Sequence, residues 1–444
     1  MFKKVFPLSS IIFLRFLGLF LVLPVLSVYA LELEYSTPLL VGVVVGGYAL
    51  TQAIFQIPFG TLSDKIGRKP TILFGLIIFL IGSIICAYST DIYTLMFGRF
   101  LQGAGAIGSV ATAMISDLVE EESRGKAMAI MGGFIAMSFA LAMGLGPVIA
   151  SNFGISSIFL ITSVLAVISM VLLFTSVPTP PKIRHIYHND SKLSDILKDN
   201  NLLNMIIINT LQKGLMTMAF VLIPIILTKP LTEGGVFGWE KAELWQVYLP
   251  AMIAGLVAMG PAAVFGEKKN IPKQIFLLSI VLFLASFLIM GFTTSSSVFV
   301  VGVVFFFIGF NMMEPLVQSM ISKFAKVHQK GAALGISNSS AYFATFLGGT
   351  FAGLYLDISD RGTLAASVSV IIVLWLIWTV LKLQNPTRHS HLYLDHDIVD
   401  LDKLTALEND NIAEWYINET QNLVVVKYVT GAIEEEDLQA KITL

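Results

Sequence analysis

Four charged side chains, Arg15, Arg99, Lys213 and Glu314, stand within long stretches of apolar residues. A charge held in hydrocarbon costs about 2.5 to 3.5 kcal/mol or more unless it faces a cavity or a partner, so each is a functional candidate. Glu314 is the one suited to proton chemistry. Removal from water favours a neutral carboxyl and a nearby cation favours the carboxylate, so a group that meets both surroundings in turn can take up and release a proton. The competing reading is a fixed counter-ion for Arg15, Arg99 or Lys213. Uncharged polar groups at similar depth are Gln52, Gln56, Gln102, Asn209, Gln212, Asn311, Gln318 and Asn338. They could hydrogen-bond a small molecule or merely join helices, a contact worth on average about 0.6 kcal/mol. Phe305 to Phe307, Met312, Met313, Met216 and Met218 would suit a pliable apolar cavity or simple packing.

A second concentration of charge lies in Gly60-Thr-Leu-Ser-Asp64-Lys65-Ile-Gly67-Arg68-Lys69. Gly60 permits close approach of a neighbouring helix, and Asp64 is short enough to set a carboxylate against the positive N-terminal end of a helix, expected to be one from the other half of the molecule. Arg68 requires an anion, and Asp117 in Ile-Ser-Asp-Leu is expected to supply it. Such a cluster is expected to latch two parts of the molecule together. Charges that serve only to hold the loop on one side of a membrane are the simpler alternative.

Lipid is the solvent these residues imply. Of 444 residues, 55% are hydrophobic and 13% charged, against roughly 25% charged in a soluble domain. The apolar residues fall in about twelve blocks of about 20, the length of a membrane-crossing helix. They run from Phe6 to Ala30, Leu39 to Phe59, Pro70 to Tyr88, Ile92 to Leu118, Gly125 to Ala150, Ile155 to Val177, Leu202 to Thr228, Leu244 to Phe265, Gln274 to Phe292, Val298 to Ile321, Ala332 to Leu356 and Thr363 to Leu383. Basic residues gather in alternate connections: Lys3 and Lys4, Lys65 to Lys69, Arg124 and Lys126, Lys182, Arg184 and Lys198, Lys268 to Lys273, and Lys323 to Lys330. The intervening connections carry Glu32, Glu34 and Asp91, and later Glu233, Glu240 and Glu243. This bias puts both termini in the cytoplasm and makes the number of spans even. The N-terminal run also resembles a secretory signal ending at Ala30, but it exceeds the usual apolar core of about 7 to 15 residues.

Two halves are expected. The polar stretch Pro178 to Asn201 reads as a linker between bundles of six helices, at 1–177 and 202–384. Gly60 and Gly266 open comparable loops at an offset of 266 − 60 = 206, and Gly125 and Gly331 repeat it at 331 − 125 = 206. A substrate path between the halves follows from that symmetry. From 391 to 444 the composition is acidic and mixed. Leu392 to Leu394, Ile412 to Ile417 and Leu423 to Val429 read as strands, the last two joined through Asn418 to Asn422. Val399 to Glu408 and Glu434 to Ile442 read as helices. That order is a ferredoxin-like pattern without its final strand, marginal if alone.

The loop at Gly60 to Lys69 resembles the signature of the major facilitator superfamily, with Lys65 where that family more often has Arg. Leu17-Gly18 with Pro24, Arg99-Phe-Leu-Gln102-Gly103, and Gly146-Pro147 resemble three motifs of its drug/proton antiporter branch, although Ala150 and Ser151 replace the closing glycines of the last. Proline permits the helix to bend, for rocking or only for packing. Leu14-Arg15-Phe-Leu-Gly18, Gln56-Ile-Pro-Phe-Gly60, Phe310-Asn-Met-Met-Glu314 and the tail together resemble the YajR-type bacterial transporters over essentially the whole chain. The resemblance implies an all-α bundle of twelve transmembrane helices plus a small α+β cytoplasmic domain in the bacterial inner membrane. It also implies proton-coupled export of small amphipathic compounds by alternating access, powered by the proton gradient with no cofactor.

No Gly-x-x-x-x-Gly-Lys-Ser/Thr loop is present, so an ion gradient rather than ATP is the expected source of work. A net charge of −2 gives no basic field for nucleic acid. Cys86 is the single cysteine, which excludes a disulfide framework. His389, His391 and His396 with Asp395 and Asp397 are the one tract with metal-ligand chemistry, and their spacing fits no closed site. The alternatives to an exporter are a membrane sensor whose tail relays ligand binding, with an unknown cytoplasmic ligand or partner, and a facilitative uniporter. A soluble enzyme is excluded by the spans.

Overall fold

The computed structural model describes residues 2–119, 123–179, 185–187, 193–233, 235–326, 329–358, 360–387, 389–407, 411–418 and 422–443. Several helices begin where a short polar side chain can cap them. Thr37 accepts from Leu40 N at 3.2 Å, and Asp91 from Tyr93 N and Thr94 N at 2.9 Å each. Asp199 and Asp360 cap later helices in the same way, with their carboxylates at the positive end of the helix dipole.

The first bundle holds α1 (Phe2–Leu21), α2 (Leu26–Ala30), α3 (Pro38–Ile66), α4 (Arg68–Ala87), α5 (Ile92–Ala104), α6 (Gly108–Leu118), α7 (Arg124–Phe153) and α8 (Ile155–Thr175). The linker contains β1 (His185–Tyr187) and α9 (Leu193–Lys198); its Lys182, Arg184 and His188 lie outside the described residues. The second bundle holds α10 (Asn200–Thr228), α11 (Trp245–Lys268), α12 (Pro272–Phe292), α13 (Ser296–Phe324), α14 (Lys330–Ile358) and α15 (Arg361–Lys382). Among the described residues, ten helices are long and apolar enough to cross a membrane. The α5–α6 pair, and α14 with its diluting serines and asparagine, complete twelve.

Two spans expected to be continuous are broken. The first stops at Leu21 because Pro24 has no N–H to extend the ladder; Leu23 N turns back to the Phe20 carbonyl at 3.0 Å before α2 begins. The fourth breaks at 105–107, between α5 and α6. There a Cβ on Gly103 would come 1.8 Å from the Tyr48 carbonyl oxygen, and one on Gly105 2.3 Å from that of Gly75. Such close approach by α3 and α4 admits only glycine.

Call the end of the bundle that carries Lys65, Arg68 and Lys69 the basic end, and the end that carries Glu32 and Asp91 the acidic end. The halves meet toward the acidic end. Gly42 and Gly46 of α3 lie against Gly349 and Phe346 of α14, Gly353 against Pro38, and Gly144 of α7 against Leu249 of α11. Glu32 forms an ion pair with Lys241, whose ammonium also sits over the Tyr29 ring at 4.0 Å. Toward the basic end, Gly108, Gly132, Gly133, Gly260 and Gly335 have none of the described residues within 4 Å of a built Cβ, and Gly60 has among them only the Ser109 hydroxyl at 3.8 Å. A crevice therefore opens between the halves on the basic face.

The tail folds as β2 (His389–Asp395), α16 (Leu401–Ala406), β3 (Ile412–Asn418), β4 (Leu423–Val429) and α17 (Glu435–Ile442). Alternation buries Leu392, Leu394, Trp415, Val424 and Val426 against Leu404, Leu438 and Ile442. β2 is longer than the expected Leu392 to Leu394, and α16 is shorter than expected because Asp400 caps it; Glu408 and the hairpin's 419–421 lie outside the described residues. The sheet is not left at three strands. Its order is β1-β3-β4-β2, with the linker strand antiparallel to β3 from His185↔Asn418 to Tyr187↔Tyr416.

Candidate functional site

Glu314 on α13 and Lys213 on α10 face each other. Lys213 Nζ lies 2.8 Å from both carboxylate oxygens and 4.9 Å from the centre of the Phe310 ring. Gln212 Nε2 donates to Glu314 Oε2 and to the Phe310 carbonyl, each at 3.1 Å. The pair is half-buried, with side-chain exposures of 22% for Lys213 and 38% for Glu314, so water or a small molecule can reach it. Of the three cations considered as counter-ions, Lys213 is the one bonded to Glu314.

Arg15 and Arg99 lie elsewhere, inside the first bundle. Arg15 Nη2 donates to the Gly105 carbonyl at 2.8 Å, the acceptor released by the break between α5 and α6. Its guanidinium lies 5.4 Å from the Phe79 ring centre and 5.6 Å from that of Phe16, and its Nε and Nη1 have no hydrogen-bond partner among the described residues. Arg99 Nη1 donates to Gln102 Oε1 at 2.8 Å, Gln102 Nε2 donates to the Ser83 hydroxyl at 2.9 Å, and Tyr48 stacks 4.7 Å from the guanidinium. Gln102 is thus committed to a buried network that ties α5 to α4 rather than to a cavity.

The other polar candidates separate the same way. Asn311 donates to the Phe307 carbonyl at 2.8 Å and packs on Gly255, away from the crevice. Asn209 donates to the Ser337 hydroxyl at 2.9 Å, tying α10 to α14. Gln318 and Asn338 bond each other at 3.1 Å where they are exposed near the basic end. Gln52 is fully buried with its side chain beside the Tyr342 hydroxyl of α14, and Gln56 Oε1 has no hydrogen-bond partner among the described residues. Tyr342 escaped the sequence reading; it lies within electrostatic reach of Arg15, Tyr48 and Glu314, four residues beyond Asn338 on the same face of α14.

In the loop between α3 and α4, Arg68 gathers three partners. Its Nε lies 2.9 Å from Asp117 Oδ2, and its Nη1 lies 2.6 Å from both Asp64 Oδ1 and the Ser63 hydroxyl. The Asp64 side chain is 66% exposed. Its ion pair is with Arg68 of its own loop, and no helix of the second bundle reaches it among the described residues. Gly67 sits at φ +97°, which lets the chain turn from α3 directly into α4; Lys69 follows in the first turn of α4. At the symmetry-related place the charges are inverted. Lys323 stands where the repeat puts Asp117, since 323 − 206 = 117, and it pairs with Glu267, which also accepts from the Ser319 hydroxyl.

The sequence matches the Major Facilitator Superfamily over residues 8–349 and 251–396. The chain belongs to that superfamily. The inner membrane transport protein YajR of Escherichia coli (strain K12) is 34% identical over 449 residues, covering 98% of this chain and 96% of that one. The quinolone resistance protein NorA of Staphylococcus aureus (strain MSSA476) is 27% identical over 384 residues, 83% of this chain and 94% of the relative. Among solved structures, a D-xylose-proton symporter superposes with a TM-score of 0.69 at 14% identity, over 86% of this chain and 97% of that chain. That likeness speaks to the fold alone. As a member of the superfamily the protein is a multi-pass membrane transporter.

Within the superfamily frame, Gly146 of α7 packs on the interrupted first span. A Cβ there would come 2.2 Å from the Leu21 carbonyl oxygen and 3.2 Å from Pro24 Cγ. Pro147 follows inside α7, so the point at which α7 can bend is also where it touches the break between α1 and α2. Among the described residues, no three His, Cys, Asp or Glu side chains gather to hold a metal ion. In the His-Asp tract, Asn422 bridges Asp395 and Asp397 at 2.9 and 3.2 Å.

Proposed function

We propose that the protein is a proton-coupled exporter of small amphipathic compounds in a bacterial inner membrane, here open toward the cytoplasm. The Lys213–Glu314 pair carries the proposal: a bidentate ion pair at membrane depth, reachable from a crevice open on the basic face. In this reading the carboxylate is ionised and held by Lys213 while the crevice faces the cytoplasm, where a substrate enters. Closure at the basic end and opening at the other exposes Glu314 to protons from outside, and protonation breaks its hold on Lys213. When the protonated carrier reopens toward the cytoplasm, Glu314 releases the proton there and the pair with Lys213 re-forms. Both termini then lie in the cytoplasm, following the lysine and arginine bias of the connections. That one bacterial relative is an inner membrane transport protein and another a quinolone resistance protein supports this reading, and the lack of a phosphate loop supports an ion gradient as energy source.

Within this cycle the Arg68 cluster is the cytoplasmic latch of the opposite, outward-open state. Asp64 is exposed because the latch is released; when the halves close on the basic face, Asp64 meets the start of a helix from the second bundle. Efflux of a fluorescent quinolone and of an amphipathic cationic dye from cells expressing the protein tests the coupling. A protonophore is expected to abolish extrusion, and extrusion that persists undiminished would replace this reading with a facilitative uniporter.

A further inference from the structure

The chain leaving α15 is stitched to the basic end of the second bundle. Lys273 N donates to Asn385 Oδ1 at 3.0 Å, Asn270 Nδ2 to the Pro386 carbonyl at 2.8 Å, and Gln384 N to Asn201 Oδ1 at 3.2 Å. These bonds set the sheet of the tail against the bundle and leave a cavity of about 230 Å³ between them. Its walls include Lys323 and Lys326 at the end of α13 and just beyond, Asn201 at the start of α10, and His389, Glu414 and Lys427 from the tail.

Cations outnumber carboxylates on these walls. Lys323 is bound to Glu267, and Glu414, opposite Lys427 in the β3–β4 ladder, is the one carboxylate among the described lining residues. Lys326 and Lys427 have no ion pair within bonding distance among the described residues, and Lys427 is only 8% exposed. Its ammonium is held below the ordinary range by burial and by Lys330 at the start of α14, with Glu414 opposing. His391 is exposed along one edge on β2, yet its imidazole is pushed down to about 4, first by partial desolvation and then by Lys330, Lys427 and His389; His389 is lowered by burial and Lys427. A folded chain does not press ammonium and imidazole groups from separate elements together without cost.

We infer that this cavity binds a phosphate-type oxyanion, held by the ammonium groups of Lys326 and Lys427 with Lys323 at its edge, and that the anion clamps the tail to the second bundle. A phosphate oxyanion supplies several charge-assisted acceptors at once, which is what the converging donors lack. The phosphate comes either from a soluble phosphorylated metabolite or from a lipid headgroup at the cytoplasmic face, and both offer the same chemistry to the cavity. Occupancy fixes the tail, and with it the linker strand β1, relative to α10, α13 and α14.

Thermal unfolding of the full-length protein tests the site, since a ligand that binds the folded state raises its melting temperature. Pyrophosphate in detergent, and phosphatidylglycerol in nanodiscs otherwise of phosphatidylcholine, represent the two sources. A saturable rise in melting temperature with either, beyond that of sodium chloride at equal ionic strength, is expected. The response is expected to weaken about tenfold in apparent affinity in Lys326→Ala, an exposed position whose loss leaves the fold intact, and in Lys427→Met. A response to pyrophosphate assigns a soluble anion, and one to phosphatidylglycerol alone assigns a lipid. If neither probe exceeds chloride, or if both variants respond as the unmodified protein does, the inference is overturned.

Discussion

Residue by residue, the charges at membrane depth divide into two kinds of work. Arg15 and Arg99 are spent on the first bundle itself: one binds the carbonyl freed at Gly105, the other a glutamine and a tyrosine face. Lys213 and Glu314 satisfy each other at the crevice, where the proposed cycle breaks and remakes the bond. Lys213→Met is therefore expected to lower the rate of coupled efflux at least about tenfold, because it leaves a half-buried carboxylate without its cation. Lys213→Arg should retain most of the activity, and initial rates at equal expression check both. None of this division was legible in sequence, where all four appear as charges among apolar neighbours. Composition locates a side chain in depth but not around the helix, and the partner that decides its role is far away in the chain.

At the scale of elements, the contrast is between the glycine-lined seams near the acidic end and the open glycines near the basic end. Gly349 lies so close to Gly42 that a Cβ on it would come 2.5 Å from that residue's carbonyl oxygen. Gly349→Val should wedge α3 from α14 there and shift the population toward closure on the basic face, read as loss of labelling of a cysteine placed at Gln318. Asp64→Asn acts oppositely, weakening the closed latch; transport should fall, and the same cysteine should label faster. Wild-type transport by Asp64→Asn would remove the latch from the account. The sequence marked these elements through the 206-residue repeat and the loop motif, yet placed Asp64 against the other half. A motif records the contacts of a whole cycle, and a single conformation displays part of them. The breaks at Pro24 and Gly105 were visible as residue types, but a long apolar block conceals where its helix stops.

For the whole molecule, linker and tail are one unit rather than two appendages, because β1 completes the sheet beside β3. The strand was hidden by its shortness and its polar surroundings, whereas the alternation in β3 and β4 was plain. The tail also carries a pH dependence. The unfolded His391 titrates near 6.5 and the folded one at about 4, so the stability that its neutral form confers is complete above 6.5, declines below it and is gone below about 4. A melting profile of the full chain across that interval should show the tail's transition falling with acidity, and His391→Asn should flatten the trend. Rocking of the two bundles about a crevice, governed by the charge on Glu314, is the claim on which the rest depends. The most direct measurement is the spin-label distance between Lys65→Cys and Lys269→Cys, one on each half at the basic end, in alkaline and then acidic buffer. Acidification is predicted to shorten it in the otherwise native protein, while Glu314→Gln stays short in both buffers. A Glu314→Gln protein that keeps the native response to acid would contradict the account.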